Sequence, residues 1–476
     1  MIATPLLGVW VASSLAALRH GPVWLTLVAG LLLFPILPVA WELWSAARRA
    51  RRRGPKPGIL STSDRLILRT LALNAAFLAA LLLAQPSLAF TALSARGDWM
   101  LDGRHDASAN RTRKKLFGAA AKLEWLYTAA HDNPFRKYAK TDAKPSPTPT
   151  SSPSSATPTG VSVPPVTAAS GSPPPAPQPP SPSAVDAAAW PLPTERDPVV
   201  VDMPAAAESS ITAVADYISA RVPAPLPRLK ALHDWVADRV AYDAASYLAH
   251  AYPPQDAEAV FATRSSVCAG YANLLEALGR AAGLEVVFVP GDARAKGSDL
   301  SGEGHAWNAA KIAGRWYLID ATWDSGVLSG SHFERRYSTA YFLTPPRIFN
   351  IDHFPDDAKW QLVDKPLSRG EFLRQPALTP LFFASGLELL APDRSQVDVQ
   401  GKLDILLRNP QNVFMTARYE EPGSSREPER CHVADGPSPS ISCNFSRPGR
   451  YDVMLFTNRS RSGIFDFAGQ LQVNAN

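Results

Sequence analysis

Three short motifs between residues 265 and 324 decide the fold of this chain: S-S-V-C-A-G-Y-A at 265–272, G-H-A-W-N-A at 304–309 and R-W-Y-L-I-D-A-T-W-D at 315–324. The first opens a predicted helix with a cysteine, the second begins a predicted strand with a histidine, and the third carries an aspartate near the end of another strand. A thiol, an imidazole and a carboxylate are the groups that acyl transfer through a thioester requires. Their order along the chain therefore indicates an enzyme site.

The helix that begins the site has clear ends and an apolar inner face. Ser265 or Ser266 is expected to cap its N-terminus, and Gly283 to end it. Cys268 then lies in the first turn, where unpaired amides and the helix dipole favour the thiolate and can hold an oxyanion. Because a lone cysteine in a helix is often only a small core residue, this interpretation depends on its partners.

The partners come from a predicted hairpin with strands at 305–312 and 315–322 and a two-residue Ala-Gly turn between them. In that register His305 opposes Thr322, and Asp320 lies diagonally on the same face, within reach of the imidazole. A four-residue loop would place the histidine and aspartate directly opposite each other, whereas a three-residue loop would separate them on opposite faces. The two-residue turn predicts that the carboxylate orients the ring and the ring keeps the thiol ionised.

The motifs C-A-G-Y-A, G-H-A-W-N and W-Y-L-I-D-A-T-W-D resemble the transglutaminase-like superfamily, whose members share a papain-like Cys, His, Asp triad. Residues 341–362 resemble the segment that follows the triad in the kyphoscoliosis peptidase branch, and the resemblance runs from about residue 206 to 390. It implies Cys268 as the nucleophile, His305 as general base and acid, and Asp320 as the residue that orients the ring.

Two further features concern the surroundings of the site. Trp235, on the second of two predicted core helices at 206–222 and 225–241, has a spacing like that of an oxyanion-assisting tryptophan in animal transglutaminases, but a packing role is the alternative. Ser266 and Val267 stand where the common pattern has a glycine-containing pair, which affects the expected shape of the loop.

The sequence predicts neither a metal nor a cofactor. His233, His332 and His353 lack metal-ligand spacing with carboxylates or cysteines, so core or surface roles are expected for them. No acidic loop of the EF-hand type is present either.

Uncharged runs dominate the N-terminal region, residues 1–95. Residues 23–41 and 71–93 are long enough as helices to cross about 30 Å of hydrocarbon, and residues 2–18 are marginal, so two or three spans are expected. Buried helices of a soluble domain are the alternative. The basic cluster at 48–56 fits a cytoplasmic membrane flank better than a nucleic-acid patch, and it places everything after the last span outside.

The region between the predicted membrane and the catalytic domain has two parts. Residues 96–144 are basic and have no assigned role, and residues 145–193, rich in Pro, Ser and Thr, are expected to form a disordered tether, with partner binding through proline motifs as the alternative. A stretch from Arg69 to Ala89 also resembles a signal peptide, and cleavage there would release the downstream part.

The remaining chain divides into a catalytic domain, 194–390, and a small antiparallel β-sandwich, 396–476, with strands separated by turn signals. Cys431 and Cys443 are twelve residues apart, a spacing suited to a disulfide in an oxidising compartment. The sandwich has either a binding role or a packing role.

With 476 residues and a formal net charge of +5, the chain is long enough for these domains and its basic excess lies mainly at the membrane flank. We expect a membrane-anchored α+β enzyme with its catalytic domain periplasmic or extracellular, acting on a protein or peptide substrate of the cell envelope and not on nucleic acid. The acyl group passes to water or to an amine, and the sequence leaves that choice open. A non-catalytic envelope scaffold with this fold is the alternative function.

Overall fold

The computed structural model describes residues 3–19, 23–51, 60–104, 106–131, 133–139, 190–295, 301–434 and 436–476. Most of the Pro-rich segment, as far as residue 189, and part of the basic cluster lie outside these ranges, so their predicted properties stay predictions.

The N-terminal region consists of apolar helices, as its uncharged runs predict. Its elements are α1 (Ala3–Leu18), α2 (Val23–Leu31), a π-helical turn (Leu32–Ile36), α3 (Leu37–Ala50) and α4 (Thr62–Ala84). By length and composition, two helical stretches in the described part are able to cross a membrane, Trp24–Ala50, which is kinked at Phe34, and Thr62–Ala84. The first run, α1, is shorter.

The third apolar run does not form one helix. The chain breaks at Gln85, between α4 and α5 (Pro86–Arg96), because the proline begins a new helix there. Residues 89–96 of α5 are all buried. The predicted span at 71–93 is therefore wrong at its C-terminal end, and Ala89 of the signal-like motif lies buried inside α5.

The segment after α5 packs on the catalytic and C-terminal parts and does not stand apart from them. It contains α6 (Ala107–Ala121) and α7 (Glu124–Ala130). The fully buried carboxylate of Asp98 accepts from Arg113 at 2.6 Å and from Arg394 at 3.0 Å. Glu124 of α7 also accepts from the amide of Arg369, in the catalytic part, at 3.0 Å. The described residues of 96–144 thus lie against both parts, whereas the tether predicted further on lies outside the described residues as far as residue 189.

The helices that follow the Pro-rich segment are, in order, α8 (Pro198–Val201), α9 (Ile211–Arg221), α10 (Pro225–Arg239), α11 (Ala244–Leu248), α12 (Ala257–Thr263), α13 (Cys268–Ala281), α14 (Ala321–Ser325), α15 (Pro346–Asp352), α16 (Arg369–Arg374) and α17 (Pro380–Ala384). Helices α9 and α10 confirm the two predicted core helices. Before α8, the Trp190 indole donates to the carbonyl of Ala340 at 3.3 Å. The predicted tether at 145–193 is therefore wrong at its C-terminal end, because the chain is docked on this domain from residue 190.

The strands of the catalytic part are β1 (Ala241–Tyr242), β2 (Ser265–Ser266), β3 (Glu285–Ala293), β4 (Glu303–Ile312), β5 (Arg315–Ile319), β6 (Gly326–Ser329), β7 (His332–Arg335), β8 (Phe342–Thr344) and β9 (His353–Pro355). The main sheet has the antiparallel order β8-β5-β4-β3-β9. Ile312 pairs with Arg315, and the two turn residues between them have positive φ angles of 51° and 81°, which confirms the predicted two-residue turn. Buried residues of α9, α10, α13 and the sheet form one apolar core.

The C-terminal strands are β10 (Ala377–Leu378), β11 (Glu388–Ala391), β12 (Gln396–Val399), β13 (Lys402–Arg408), β14 (Phe414–Glu420), β15 (Glu429–Arg430), β16 (His432–Ala434), β17 (Ser440–Asn444), β18 (Gly449–Asn458) and β19 (Asp466–Ala475). They form two sheets, one with the order β10-β19-β18-β14-β15 and β12 beside β19, the other β11-β13-β17-β16. Both sheets contribute to one apolar core. Cys431 and Cys443 are joined by a disulfide in the structure, with their Cα atoms 4.4 Å apart.

Candidate active site

Helix α13 begins at Cys268, so the thiol lies in its first turn as predicted. The predicted serine cap is wrong. Ser266 belongs to β2, paired with β1, and the residue before the helix is Val267, which has no capping side chain. The buried side chain of Gln255 takes that role, because its Oε1 accepts from the Ser266 hydroxyl at 2.7 Å and from the Gly270 amide at 3.1 Å.

His305, on β4, and Asp320 meet as the hairpin predicts. The ring Nε2 lies 2.8 Å from Asp320 Oδ2, and the aspartate is fully buried. The other carboxylate oxygen accepts from the amides of Thr322 at 2.8 Å and Trp323 at 3.2 Å. Because Asp320 caps α14 in this way, β5 ends at Ile319 and not at Thr322 as expected. The cap fixes the carboxylate that faces the imidazole.

The thiol of Cys268 lies close enough to the His305 ring to contribute to its raised pKa, and Cys268 shares a buried cluster with Ala306, the residue after the histidine. With Nε2 occupied by Asp320, Nδ1 is the ring nitrogen left for the thiol. Burial alone would lower the pKa of His305, but Asp320 and Cys268 together raise it to about 9. Burial alone would raise the pKa of Asp320, but His305 and His353 hold it well below its ordinary value. The surroundings of the ring therefore favour the imidazolium, paired with a carboxylate.

A second histidine also binds Asp320, and sequence reasoning missed it. The Nε2 atom of His353, on β9, lies 3.2 Å from Asp320 Oδ2, and its Nδ1 lies 2.7 Å from Asp352 Oδ1. The Tyr341 hydroxyl donates to the other oxygen of Asp352 at 2.7 Å. Burial alone would lower the pKa of His353, but the two carboxylates raise it to about 8. The sequence signal for this residue was the Asp352-His353 pair at the end of α15. No local pattern indicates, however, that β9 lies next to the triad.

His305, Asp320 and His353 offer possible metal-binding atoms within 4.8 Å of one another. Each of these atoms already has a hydrogen-bond partner within the set, because one carboxylate oxygen accepts from both rings. The geometry is that of a hydrogen-bonded network around the carboxylate.

Asp324, the last aspartate of the D-A-T-W-D motif, forms a hydrogen bond with a third histidine, His233. His233 is fully buried on α10, with Nε2 3.1 Å from Asp324 and Nδ1 3.1 Å from Asp234. Asp324 also accepts from the Tyr341 amide at 3.1 Å. These bonds tie α10 to the loop behind the triad, which is a core role for His233, whereas His332 is exposed on β7.

Trp235 lies in the main core and not beside the thiol. Its ring stacks on Phe261 with the centroids 5.6 Å apart, and the guanidinium of Arg264 lies 4.4 Å from its centroid. Cys268 belongs to a different buried cluster, which includes Phe288 and is packed by the partly buried aromatic side chains Tyr138, Tyr242, Tyr247 and Tyr252. This placement supports the packing interpretation of the tryptophan.

Residues 212–321 match the family model of the transglutaminase-like superfamily, a range that contains all three members of the triad. Kyphoscoliosis peptidase of Mus musculus is 36% identical over 195 residues, which are 39% of this chain and 29% of that protein. The Homo sapiens kyphoscoliosis peptidase is 35% identical over the same extent. Hillarin of Drosophila melanogaster is 30% identical over 95 residues, 17% of this chain and 12% of that protein.

These similarities confirm the resemblance on which the site residues were assigned. The chain contains a transglutaminase-like α+β domain, similar to that of the kyphoscoliosis peptidases. It spans less than a third of the length of the curated relatives that it matches.

Proposed function

We propose that this transglutaminase-like domain is a cysteine enzyme that transfers the acyl group of a peptide bond or a glutamine carboxamide. The observation that carries the proposal is the joint placement of Cys268 at a helix N-terminus, His305 against the thiol, and Asp320 2.8 Å behind the ring. Three residues from distant parts of the chain have the types and order that thioester chemistry requires.

In the acylation step the thiolate of Cys268 attacks the carbonyl carbon, and the oxyanion faces the first amides of α13, which have no partner within the helix. The His305 imidazolium then gives its proton to the leaving nitrogen as the C–N bond of the intermediate breaks. Ammonia or an amine departs, and a thioester remains. Water or a primary amine then attacks the thioester and gives its proton to His305. The product is an acid or a new amide, and the thiolate is restored.

Asp320 acts through His305 in both steps. Its carboxylate holds the ring with Nδ1 towards the thiol and stabilises the imidazolium that the first step consumes and the second restores. Similarity to the kyphoscoliosis peptidases favours hydrolysis over cross-linking as the second step.

The proposed location is the outer side of a membrane. The two apolar helices Trp24–Ala50 and Thr62–Ala84 would be spans, with the basic segment between them in the cytoplasm. The Cys431–Cys443 disulfide supports an oxidising compartment for the C-terminal part, which we propose is a β-sandwich. A reporter fused after Asn476 that works only in the cytoplasm should be inactive, and activity would contradict this orientation.

Thiol labelling tests the enzyme proposal directly, because Cys268 is the free cysteine and the other two are joined. In the full chain in detergent, iodoacetamide should alkylate Cys268 at about pH 6 roughly tenfold faster in the unmodified protein than in the equally buried thiol of His305→Ala. Ordinary reactivity that does not depend on His305 would contradict the enzyme and favour a non-catalytic envelope scaffold. Glutamine peptides with and without a primary amine would then separate transfer from hydrolysis.

A further inference from the structure

The segment between α7 and the Pro-rich region, which the sequence left without a role, lies against the active site. We name residues 131 and 133–139 the approach segment; it ends in a 3₁₀ turn at Arg136–Tyr138. It precedes the range that matches the transglutaminase-like family, so its contacts with the triad are not part of that similarity.

The approach segment is fixed first by an ion pair beside His305. Nε2 of His131 lies 2.7 Å from Oδ1 of Asp292, a fully buried carboxylate on β3, and Arg369 lies 2.6 Å from its other oxygen. Burial alone would raise the pKa of Asp292, but the hydrogen bond with His131 and the charge of Arg369 hold it below its ordinary value. Asp292 pairs with Gly304 across the strands, one residue before the histidine.

Asn133 then donates hydrogen bonds to the backbone of β3 and of β4, the strand that carries His305. Its Nδ2 donates to the carbonyl of Gly291 at 2.7 Å and to the carbonyl of His305 at 3.3 Å, and the side chain is almost fully buried. Gly291 is the cross-strand partner of His305. The fit is close, since a Cβ added to Gly304 would lie 2.8 Å from the ring of Pro134.

Phe135 packs in the buried cluster that contains the nucleophile. It is 1% exposed and belongs to the same buried cluster as Cys268, which is also 1% exposed, and its ring centroid lies 5.1 Å from that of Tyr252. The Phe135 amide donates to Oδ1 of Asn133 at 2.9 Å, so the two side chains are placed together. One short segment thus contacts the histidine backbone and covers the surroundings of the thiol.

We propose that two buried side chains of the approach segment complete the active site: Asn133 is a positioning residue for His305, and Phe135 forms a wall that shields Cys268. The site then depends on residues that precede the Pro-rich region as well as on those that follow it. This inference rests on the proposed function, because it assigns a role in the activation of the same thiol.

Alkylation of Cys268 in the full chain tests the inference through three variants. Asn133→Asp keeps the shape and the bond from the Phe135 amide but loses both donated hydrogen bonds, so the alkylation rate at about pH 6 should fall on the order of tenfold, with a pH profile closer to that of a free thiol. Phe135→Ala should instead raise the rate about threefold or more with an unchanged profile, because it exposes the thiol. Arg136→Ala is the matched control, since that partly exposed side chain pairs with Asp356 and should leave rate and profile unchanged.

The pH profile separates positioning from a structural effect, because lower stability alone would not change the profile. The titratable groups that face His305, and therefore shape the profile, are Cys268, Asp320 and His353. A folded Asn133→Asp variant with the rate and profile of the unmodified chain would refute the positioning role. An unchanged rate in Phe135→Ala would refute the wall even if the first variant does not fold. Failure of the proposed function looks different, because the unmodified chain itself would then show ordinary reactivity.

Discussion

Replacing Asp320 with asparagine removes the charge from the centre of the buried network, together with the acceptor that faces the two histidine rings. The amide oxygen can still accept from the backbone of α14, as Oδ1 does now at 2.8 Å and 3.2 Å. The atom that replaces Oδ2 no longer accepts from the rings of His305 and His353. The substitution therefore keeps the helix cap and isolates the electrostatic role of the carboxylate.

The expected effect follows from the imidazolium. The pKa of His305 is raised to about 9, although burial acts in the opposite direction. Without the carboxylate it should fall to about 6.5 or below, so the protonated fraction at about pH 7.5 drops from nearly all to roughly one tenth. If the reactive species is the thiolate paired with this imidazolium, alkylation of Cys268 at that pH should slow about tenfold.

The measurement is the rate of iodoacetamide incorporation into the full chain, followed by mass spectrometry across the neutral pH range. Asp357→Asn is the matched control, because Asp357 also caps a short helix, accepting from the Lys359 amide at 3.0 Å, but is well exposed and pairs with no histidine. A folded Asp320→Asn variant with an unchanged rate and pH profile would show that the carboxylate does not sustain the reactive state, and the triad interpretation would fall.

Three further predictions concern stability. The pKa of His353 is raised to about 8, so its contribution to the unfolding free energy is complete below about pH 6.5 and is lost as the pH rises through 8. The unfolding free energy, measured with guanidinium in detergent, should therefore differ between about pH 6 and pH 9.5. The His353→Gln substitution should make that difference smaller by about 2 kcal/mol. An equal difference in both proteins would contradict it. Replacing Cys431 and Cys443 by alanine should lower the unfolding free energy by about 3 kcal/mol, as should reduction of the unmodified chain, and an unchanged midpoint in guanidinium would refute this. Gly270→Ala should lower the unfolding free energy by about 1–3 kcal/mol in the same assay, because the added methyl group would overlap the hydroxyl of Ser266. Gly118→Ala, on an open helix face, should be neutral or stabilising. Similar midpoints for the two variants would contradict the packing argument.

The parts of the site that sequence could predict are those fixed by local rules. The two-residue turn sets the register of β4 and β5 by itself, and that register brings His305 to Asp320. Cys268 at the start of α13 follows from helical periodicity and the glycine that ends the helix.

The parts that were missed depend on contacts between distant residues. Ser266 does not cap the helix because it lies in β2, which pairs in parallel with β1, and Gln255 provides the cap instead. No local sequence pattern predicts that pairing. His353 reaches Asp320 only because β9 lies at the far edge of the sheet, two strands from His305. Asn133 contacts β3 across a separation of 158 residues, so its role depends on the tertiary fold alone.

The docking of both flanks of the Pro-rich segment has a consequence for shedding. Asn133 holds the chain on one side of that segment, and the Trp190 indole holds it on the other, both against the same domain. A protease that nicks the chain between them should therefore leave the two fragments associated, and the catalytic domain should stay with its proposed anchor. If the proposed function and location hold, the domain would stay at a fixed distance from its anchor, and its reach would not be set by the length of the Pro-rich segment.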